Sequence, residues 1–506
     1  MNYFKLFLII VLSTVFLFSC MPEDEEDTTS GDKEDTVENG NGDENNEDDN
    51  GNGEEDGNGE EEEGSEEDDN GEEDNNDDDN GSHYNECEPG ETQECYEGPS
   101  GTAGVGICKK GVATCFDDGA GWTECEGQVL PEPEICGDDI DQNCDGQDWI
   151  KGGEMDVDID GDGYTYCDGD CCELPYECPE TEPERVNPGA HDFPNDRDDN
   201  CNGEVDSPRK LCDSDISPDT TDPSDLAKAM DICPVTENKP YGLISAEISF
   251  PDGTGKGEVP ENQYSVLTSF GDTVVPNTGS AFVALSSGNA TDPIGEPSVD
   301  NETSSGSPQD WYNANGNKYP TPPDCGFATQ DSGDPANDPV MLSLKVKAPV
   351  NAESFSFDIY FFSIEFHDYV CSQYNDFFVA LLDSDFETDN PEHANPEDKN
   401  LAMDENGNPV GINLAMNGLF TVCDHKPMIA PQKTKYCEGS GPLNGTGFEG
   451  HGATGWLTTR GNVIPGEEFE LRLAIWDAGD HVLDSMIVID NWQWQETAEK
   501  PGTDKR

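Results

Sequence analysis

The sequence predicts a mainly β protein: a disulfide-rich loop module, then an antiparallel β-sandwich of jelly-roll type, with a disordered acidic tether ahead of both. Three observations predict it. Thirteen of the nineteen cysteines crowd between Cys87 and Cys212, alternation of apolar and polar residues recurs only beyond them, and acidic residues make up about half of the stretch from Glu23 to Asp79. These shifts place boundaries at residues 1–20, 21–82, 83–206, 207–498 and 499–506, the last a polar tail.

The first element has Lys5 ahead of an apolar run from Leu6 to Phe18 and ends in Leu17-Phe18-Ser19-Cys20. It reads as a signal peptide, because the run is short and acidic residues follow where a spanning helix would have basic ones. An apolar residue three before a cysteine, with a small residue just before it, resembles a bacterial lipobox. That resemblance implies lipidation at Cys20; a simple secretory signal that leaves a free thiol is the alternative. The expectation is an extracytoplasmic chain, lipid-anchored to the outer membrane or cell surface of a Gram-negative bacterium, with the membrane as a partner.

The tether carries much of the formal net charge of −89. Asp, Glu, Asn and Gly with almost no large apolar residue cannot bury a core, so the segment reads as a self-repelling, extended spacer. A loose cation sponge or an export signal is the other reading. Phosphate binding needs clustered Lys and Arg, and this sign of charge excludes nucleic acid as a partner.

Setting Cys20 aside leaves eighteen cysteines, an even number that fits disulfides formed in an oxidising compartment. Seven histidines and no paired C-x-x-C spacing argue against zinc. Thirteen before residue 213 and five after it force one bridge across that boundary, and Cys212–Cys233 is the expected one. The module itself is poor in runs long enough for a helix or central strand, so its order must come from bridges and ions.

Its clearest chemical signal is Asp156-Val157-Asp158-Ile159-Asp160-Gly161-Asp162-Gly163-Tyr164. Carboxylates at every second position, with glycines for the turn, suit a hard cation bound by oxygen, and calcium is the expected cofactor. Counted from Asp158, the aspartates and the Tyr164 carbonyl fall as in an EF-hand loop. Position twelve is Gly169 rather than Glu, so closure by Asp168 or Asp170 is expected instead. On either side stands one copy of an internal repeat. Asp139, Asp141, Asn143 and Asp145 surround Cys144; Asp196, Asp198, Asn200 and Asn202 surround Cys201, with Asp206 as an extra ligand candidate. Cys136 has Phe193 as its counterpart, which predicts different stapling of the two copies. All three loops are candidates for one shared ion cluster.

Strands are predicted where alternation appears: Leu342–Lys347, Phe355–Phe361 and Phe469–Ile475. Asp376–Leu382 and Met486–Ile489 are continuous apolar runs suited to strands covered on both faces. Asn289–Asp338 and Asp385–Val410 read as loops, and Leu226–Met230 as a short helix started by Asp222 or Ser224.

Two resemblances follow. The motifs Cys95-Tyr96-Glu97-Gly98-Pro99, Asn143-Cys144-Asp145-Gly146, Asp160-Gly161-Asp162-Gly163-Tyr164, Asn187-Pro188-Gly189-Ala190 and Asn200-Cys201-Asn202-Gly203 resemble the MopE-type metal-binding repeat of bacterial surface proteins. The family implies an extracellular, ion-stabilised module; a copper role would need soft or imidazole ligands, and only His191 lies within the repeats. Residues 240 to 494 resemble the choice-of-anchor L domain, through Phe361-Phe362-Ser363-Ile364-Glu365-Phe366, Tyr374-Asn375-Asp376-Phe377-Phe378, Gly455-Trp456-Leu457-Thr458 and Ile475-Trp476-Asp477-Ala478-Gly479-Asp480. That family implies a secreted domain with no transferable activity. Cys371 departs from its pattern and implies a local disulfide.

Glu365, Asp376, Asp477, Asp480 and Asp484 fall at predicted strand ends and form a candidate second metal or ligand site. A carboxylate pair there would also serve a glycoside hydrolase, but turn formation or calcium ligation is the more ordinary use of such residues. The histidines are scattered and no Gly-x-Ser-x-Gly elbow accompanies them, so no catalytic residue is assigned. Trp476 and Trp492 read as core, Trp311 and Trp494 as surface rings for stacking. The expectation is a non-enzymatic surface protein whose calcium-stiffened stalk displays a β-sandwich for adhesion or binding of an extracellular glycan or protein. A carbohydrate-active hydrolase and a purely structural envelope protein are the alternatives.

Overall fold

The computed structural model describes residues 87–506 except 176, 179–180, 219, 237–238, 292–298, 300, 321–324, 326–334, 425–427, 430–432 and 435–436. The expectations for the signal segment, Cys20 and the acidic tether lie outside the described residues.

The cysteine-rich part contributes one hairpin, β1 (Thr92–Cys95) against β2 (Gly111–Thr114). Beyond it come β3 (Gly242–Ser249), β4 (Tyr264–Leu267), β5 (Phe282–Ser286), β6 (Ser304–Ser305), β7 (Ala336–Lys347), β8 (Ser354–Ser363) and β9 (Phe377–Asp383). Short strands β10 (Val410–Gly411), β11 (Val422–Cys423), β12 (Met428–Ile429), β13 (Lys433–Thr434) and β14 (Gly452–Ala453) follow. The chain closes with β15 (Leu457–Asn462), β16 (Glu468–Asp477), β17 (Ser485–Gln495) and β18 (Gly502–Lys505).

Apart from the hairpins β1-β2 and β12-β13, these make two antiparallel sheets. The first runs β10-β9-β16-β7-β3, with β6 beside β7; the second runs β11-β14-β8-β17-β5-β4, with β15 pairing β8 and β18. The strand periodicity explains why they stack. Phe355, Phe357, Ile359 and Phe361 of β8, with Ile487 and Ile489 of β17, meet Val340, Leu342, Leu344 and Val346 of β7 and Phe469, Leu471, Leu473 and Ile475 of β16 in one buried core. The opposite faces are covered too. Tyr360, Phe362, Met486 and Val488 pack with Phe270, Leu443 and Phe448, while Phe377, Val379, Leu381 and Trp476 pack with Trp311 and Tyr319. Two-sided burial is the reason several of these strands read as unbroken apolar runs.

Two expectations about tryptophan fail here. Trp311 is 1% exposed, lying on α2 (Gln309–Ala314) with its ring 5.7 Å from that of Trp476; Trp494 is 9% exposed and meets Trp492 at 5.2 Å. Polar neighbours in sequence misled: the segment that carries Trp311, read as plain loop, packs on a sheet's outer face, and Trp494 lies in the core between the sheets. Trp476 and Trp492 are buried as expected. The segment at 499–506 is polar as read and also forms β18, registered from Leu457↔Lys505 to Arg460↔Gly502.

All eighteen cysteines from Cys87 onward pair, in nine disulfides. Cys212–Cys233 forms as expected. Cys371 pairs with Cys325, 46 residues away, rather than with a neighbour. The short helix is α1 (Pro223–Ala229), capped by Asp222, which accepts from the Ser224 amide at 2.9 Å.

The cysteine-rich part and the sandwich belong to one compact unit. Arg185 reaches Glu353 at 3.0 Å and the carbonyls of Asn351 and Glu496; Arg197 reaches Glu496 at 2.9 Å; Arg209 pairs with Asp231 at 2.9 Å. Phe193 enters the sandwich core. The expected stalk is therefore docked along its C-terminal part.

Phe355 stacks on Trp492 at 4.3 Å and Phe469 at 5.4 Å, so Phe355→Ala should cost about 3–5 kcal/mol in denaturant unfolding with disulfides intact. Val482→Ala, at an exposed turn, should stay within about 0.5 kcal/mol of the parent.

Candidate metal centre

The two repeat copies fold alike. Asp141 accepts the amides of Asp145 (3.1 Å) and Gly146 (2.9 Å); Asp198 accepts those of Asn202 (3.0 Å) and Gly203 (2.7 Å). Asn143 and Asn200 accept the same amides as Asp141 and Asp198 respectively, from Asp145 and Asn202, and these two accept from Gln147 and Glu204. Asp139 (φ 65°) and Asp196 (φ 65°) sit in the left-handed region, as do Cys144 (φ 60°) and Cys201 (φ 53°). Short polar side chains tolerate that conformation, and a disulfide holds each cysteine in it: Cys108–Cys144 and Cys171–Cys201. Asp206 accepts from the Asp196 amide at 3.0 Å, and Asp148 does the same for Asp139 at 2.8 Å. Asp148 was not singled out in the sequence, because its offset within the repeat differs by one residue.

The copies differ where Cys136 faces Phe193. Cys136 bonds Cys167, tying the first copy to the central loop, whereas Phe193 ties the second to the sandwich. Different stapling is thus explained by which neighbour each copy needs.

In the outer loops Asp141, Asp145, Asp148, Asp198 and Asp206 are engaged by backbone amides. Among the described residues, neither brings three acidic groups within 4.8 Å of one another. The central loop does. Asp158, Asp160 and Glu173 form one such group, and Asp160, Asp162 and Asp170 another, so Asp160 joins them. Asp158 is bound to the turn, accepting from Gly161 at 2.6 Å and Gly163 at 3.1 Å; Asp162 accepts from the Tyr164 amide at 2.8 Å. Tyr164 leans its ring toward Gly189, where an added Cβ would meet the ring hydroxyl at 2.5 Å and displace it.

Of the two expected closing residues, Asp170 is in the cluster and Asp168 is not. Asp168 is diverted to Lys151 and to Thr165. Asp156 also lies outside it. Burial opposes its ionisation, but hydrogen bonds from Thr165, Gly152 and Cys167 hold its carboxyl below the usual range. Glu173, 1% exposed, takes the remaining place and accepts from the Ile159 amide at 2.7 Å. Its distance of fifteen residues from Asp158 hid it from a twelve-residue loop count. The adjacent Cys171 and Cys172, bonded to Cys201 and Cys178, hold Asp170 and Glu173 on either side of them.

One oxygen each of Asp160, Asp162, Asp170 and Glu173 is buried and accepts no hydrogen bond. Burial and mutual repulsion push Asp162 up to about 6, Asp170 up to about 7, and Asp160 and Glu173 above their ordinary values. Carboxylate oxygens without donors, in two groups that share Asp160, are what a hard divalent cation requires, so the residues present fit such an ion.

A second acidic group lies in the sandwich. Glu365, Asp376 and Asp477 come within 4.8 Å of one another, with Asp484 close by; Asp480 is half-buried and accepts from the Val482 amide.

Fold and loops together define a disulfide-stapled β-sandwich protein with a carboxylate-rich loop module. Residues 248–493 match the family described as "Choice-of-anchor L domain", and residues 131–148 and 181–207 match the one described as "Putative metal-binding motif". Both matches fall where the two resemblances placed them. No curated protein and no solved structure matches it.

Because protons compete for the same oxygens, cation affinity should fall as pH drops from 7.5 to 5.5, through the raised values of Asp162 and Asp170. Calorimetric calcium titrations at the two pH values check this, and Asp162→Asn should flatten the dependence.

Proposed function

We propose that this chain is a lipid-anchored, non-enzymatic cell-surface protein in which calcium stiffens the cysteine-rich module and the β-sandwich is presented for adhesion or ligand binding. Two carboxylate groups that share Asp160, with unpartnered oxygens on Asp160, Asp162, Asp170 and Glu173, carry the calcium part of this reading. All-oxygen donors favour calcium over copper or zinc. Nine disulfides and a Choice-of-anchor L domain support a cell-surface or extracellular setting.

A ligand-binding role is supported by a cleft of about 420 Å³ where the second repeat copy meets the sandwich. Trp492, Trp494 and Tyr241 line it, and so do Arg209, Lys210 and Lys239. Asp192 and Asp231 line it as well, and Arg209 is paired with Asp231 at 2.9 Å, so in a chain with 113 acidic and 24 basic residues Lys210 and Lys239 are the cations this cleft offers to an anionic ligand such as an acidic glycan. The hydrolase alternative has less support. Glu365, Asp376, Asp477 and Asp484 are at most 1% exposed, so a polymeric substrate has no path to them.

The test is adhesion of whole cells to immobilised acidic glycans. Binding should fall in chelator, return with calcium, and weaken at least tenfold in Lys210→Glu/Lys239→Glu; adhesion indifferent to both would refute the reading. Cys20→Ala should move the protein from the membrane to the soluble fraction, as read by fractionation.

A further inference from the structure

The acidic group in the sandwich has a geometry that the module's metal-binding motif does not account for. Four strand ends meet there. Glu365 lies two residues past β8, Asp376 one before β9, Asp477 ends β16, and Asp484 immediately precedes β17. β9 and β16 are neighbours in the first sheet, β8 and β17 in the second, so the carboxylates gather at one end of the sandwich, across its two layers.

All are buried: Glu365 is 1% exposed, Asp376, Asp477 and Asp484 are 0%. Among the described residues, Glu365, Asp376 and Asp477 have no lysine, arginine or histidine within ion-pair distance. Asp376 is partly served, by the Ser485 hydroxyl and the Ala478 amide at 3.2 Å, and its own amide reaches Glu365 at 3.4 Å. Asp477 is not: both of its carboxylate oxygens are buried and receive no N–H or hydroxyl, and the polar group beside them is the Asp376 carboxyl, which can bond Asp477 only through a shared proton. An ionised carboxylate left in that state costs far more than a domain's marginal stability allows. Oxygens within 4.8 Å of one another are the separation expected when each stands about 2.4 Å from one ion.

We infer that Glu365, Asp376 and Asp477, with Asp484 beside them, form a second divalent-cation site of the calcium type, which staples the two sheets together at one end of the sandwich. The ion replaces the missing donors of Asp477 and offsets the repulsion among the three carboxylates. It also fixes two turns, 364–376, held further by Cys325–Cys371, and 478–484, where His481 meets Asp338 at 3.0 Å. The site is separate from the module's, so its occupancy does not depend on the reading given for the loops.

The test uses the full chain, stripped with chelator, reloaded with calcium and assayed for bound metal by mass spectrometry. Asp477→Asn should lose one equivalent, and should lose it equally in a background carrying Asp160→Asn/Asp162→Asn, which disables the module site alone. The same substitution removes a repelling charge, so it should raise Tm in chelator and lower Tm in calcium. Unchanged metal content, or a Tm shift of one sign in both conditions, would overturn the proposal. Should the variant fail to fold, hydrogen exchange on the parent chain decides: calcium should slow exchange in 364–376 and 478–485, and equal rates with and without it would count against the site.

Discussion

Repulsion between carboxylates is the constraint under which this chain folds. Acidic residues outnumber basic ones 113 to 24, and a buried anion without a partner is among the costliest groups a protein can carry. The described structure answers in two ways. Outer-loop carboxylates are turned onto backbone amides, so that Asp141 and Asp198 each satisfy two N–H groups of a tight turn. Others are drawn together, at Asp158–Asp160–Glu173, at Asp160–Asp162–Asp170 and at Glu365–Asp376–Asp477, where hydrogen bonding alone does not suffice.

The scarce cations are used sparingly. Arg185, Arg197 and Arg209 all lie along the seam between the loop module and the sandwich, and their partners include main-chain carbonyls as well as Glu353, Glu496 and Asp231. Fixed charge is thus used for docking, where planar guanidinium groups satisfy several acceptors at once. Stability elsewhere divides by composition. The module's own apolar cluster is small, Cys172, Cys178 and Val186 with Cys201 against it, so covalent bridges replace the burial that the sandwich supplies through stacked phenylalanines and tryptophans.

Much of this was legible in the sequence. The central strands β7, β8, β9, β16 and β17 were, because a strand buried on one face alternates and one buried on both reads as an apolar run. So were the α1 start at Asp222, the Cys212–Cys233 bridge and the repeat around Cys144 and Cys201. Short edge strands such as β10, β11 and β14 were not, since two residues carry no periodicity. Trp311 was misplaced because its burial depends on Phe377 and Trp476, distant in the chain. Glu173 was missed for a related reason: disulfides, not loop length, bring it to the aspartates. Among the strand-end acids, Glu365, Asp376 and Asp477 were named together, yet only the stacking of two sheets puts them face to face.

The order of the disulfides has a mechanical consequence. Cys87–Cys115, Cys95–Cys125, Cys108–Cys144 and Cys136–Cys167 close overlapping loops, each beginning before an earlier one ends, and Cys171–Cys201 and Cys212–Cys233 follow after short gaps. Tension entering the chain at Cys87 is passed from bridge to bridge, so the covalent path to Cys233 is far shorter than the polypeptide between them. Pulling can lengthen the module only through the short runs of chain between successive bridges, such as 108–115, 136–144 and 201–212. Under load it behaves as a chain of short rigid links, delivering force to the sandwich with little slack to absorb it.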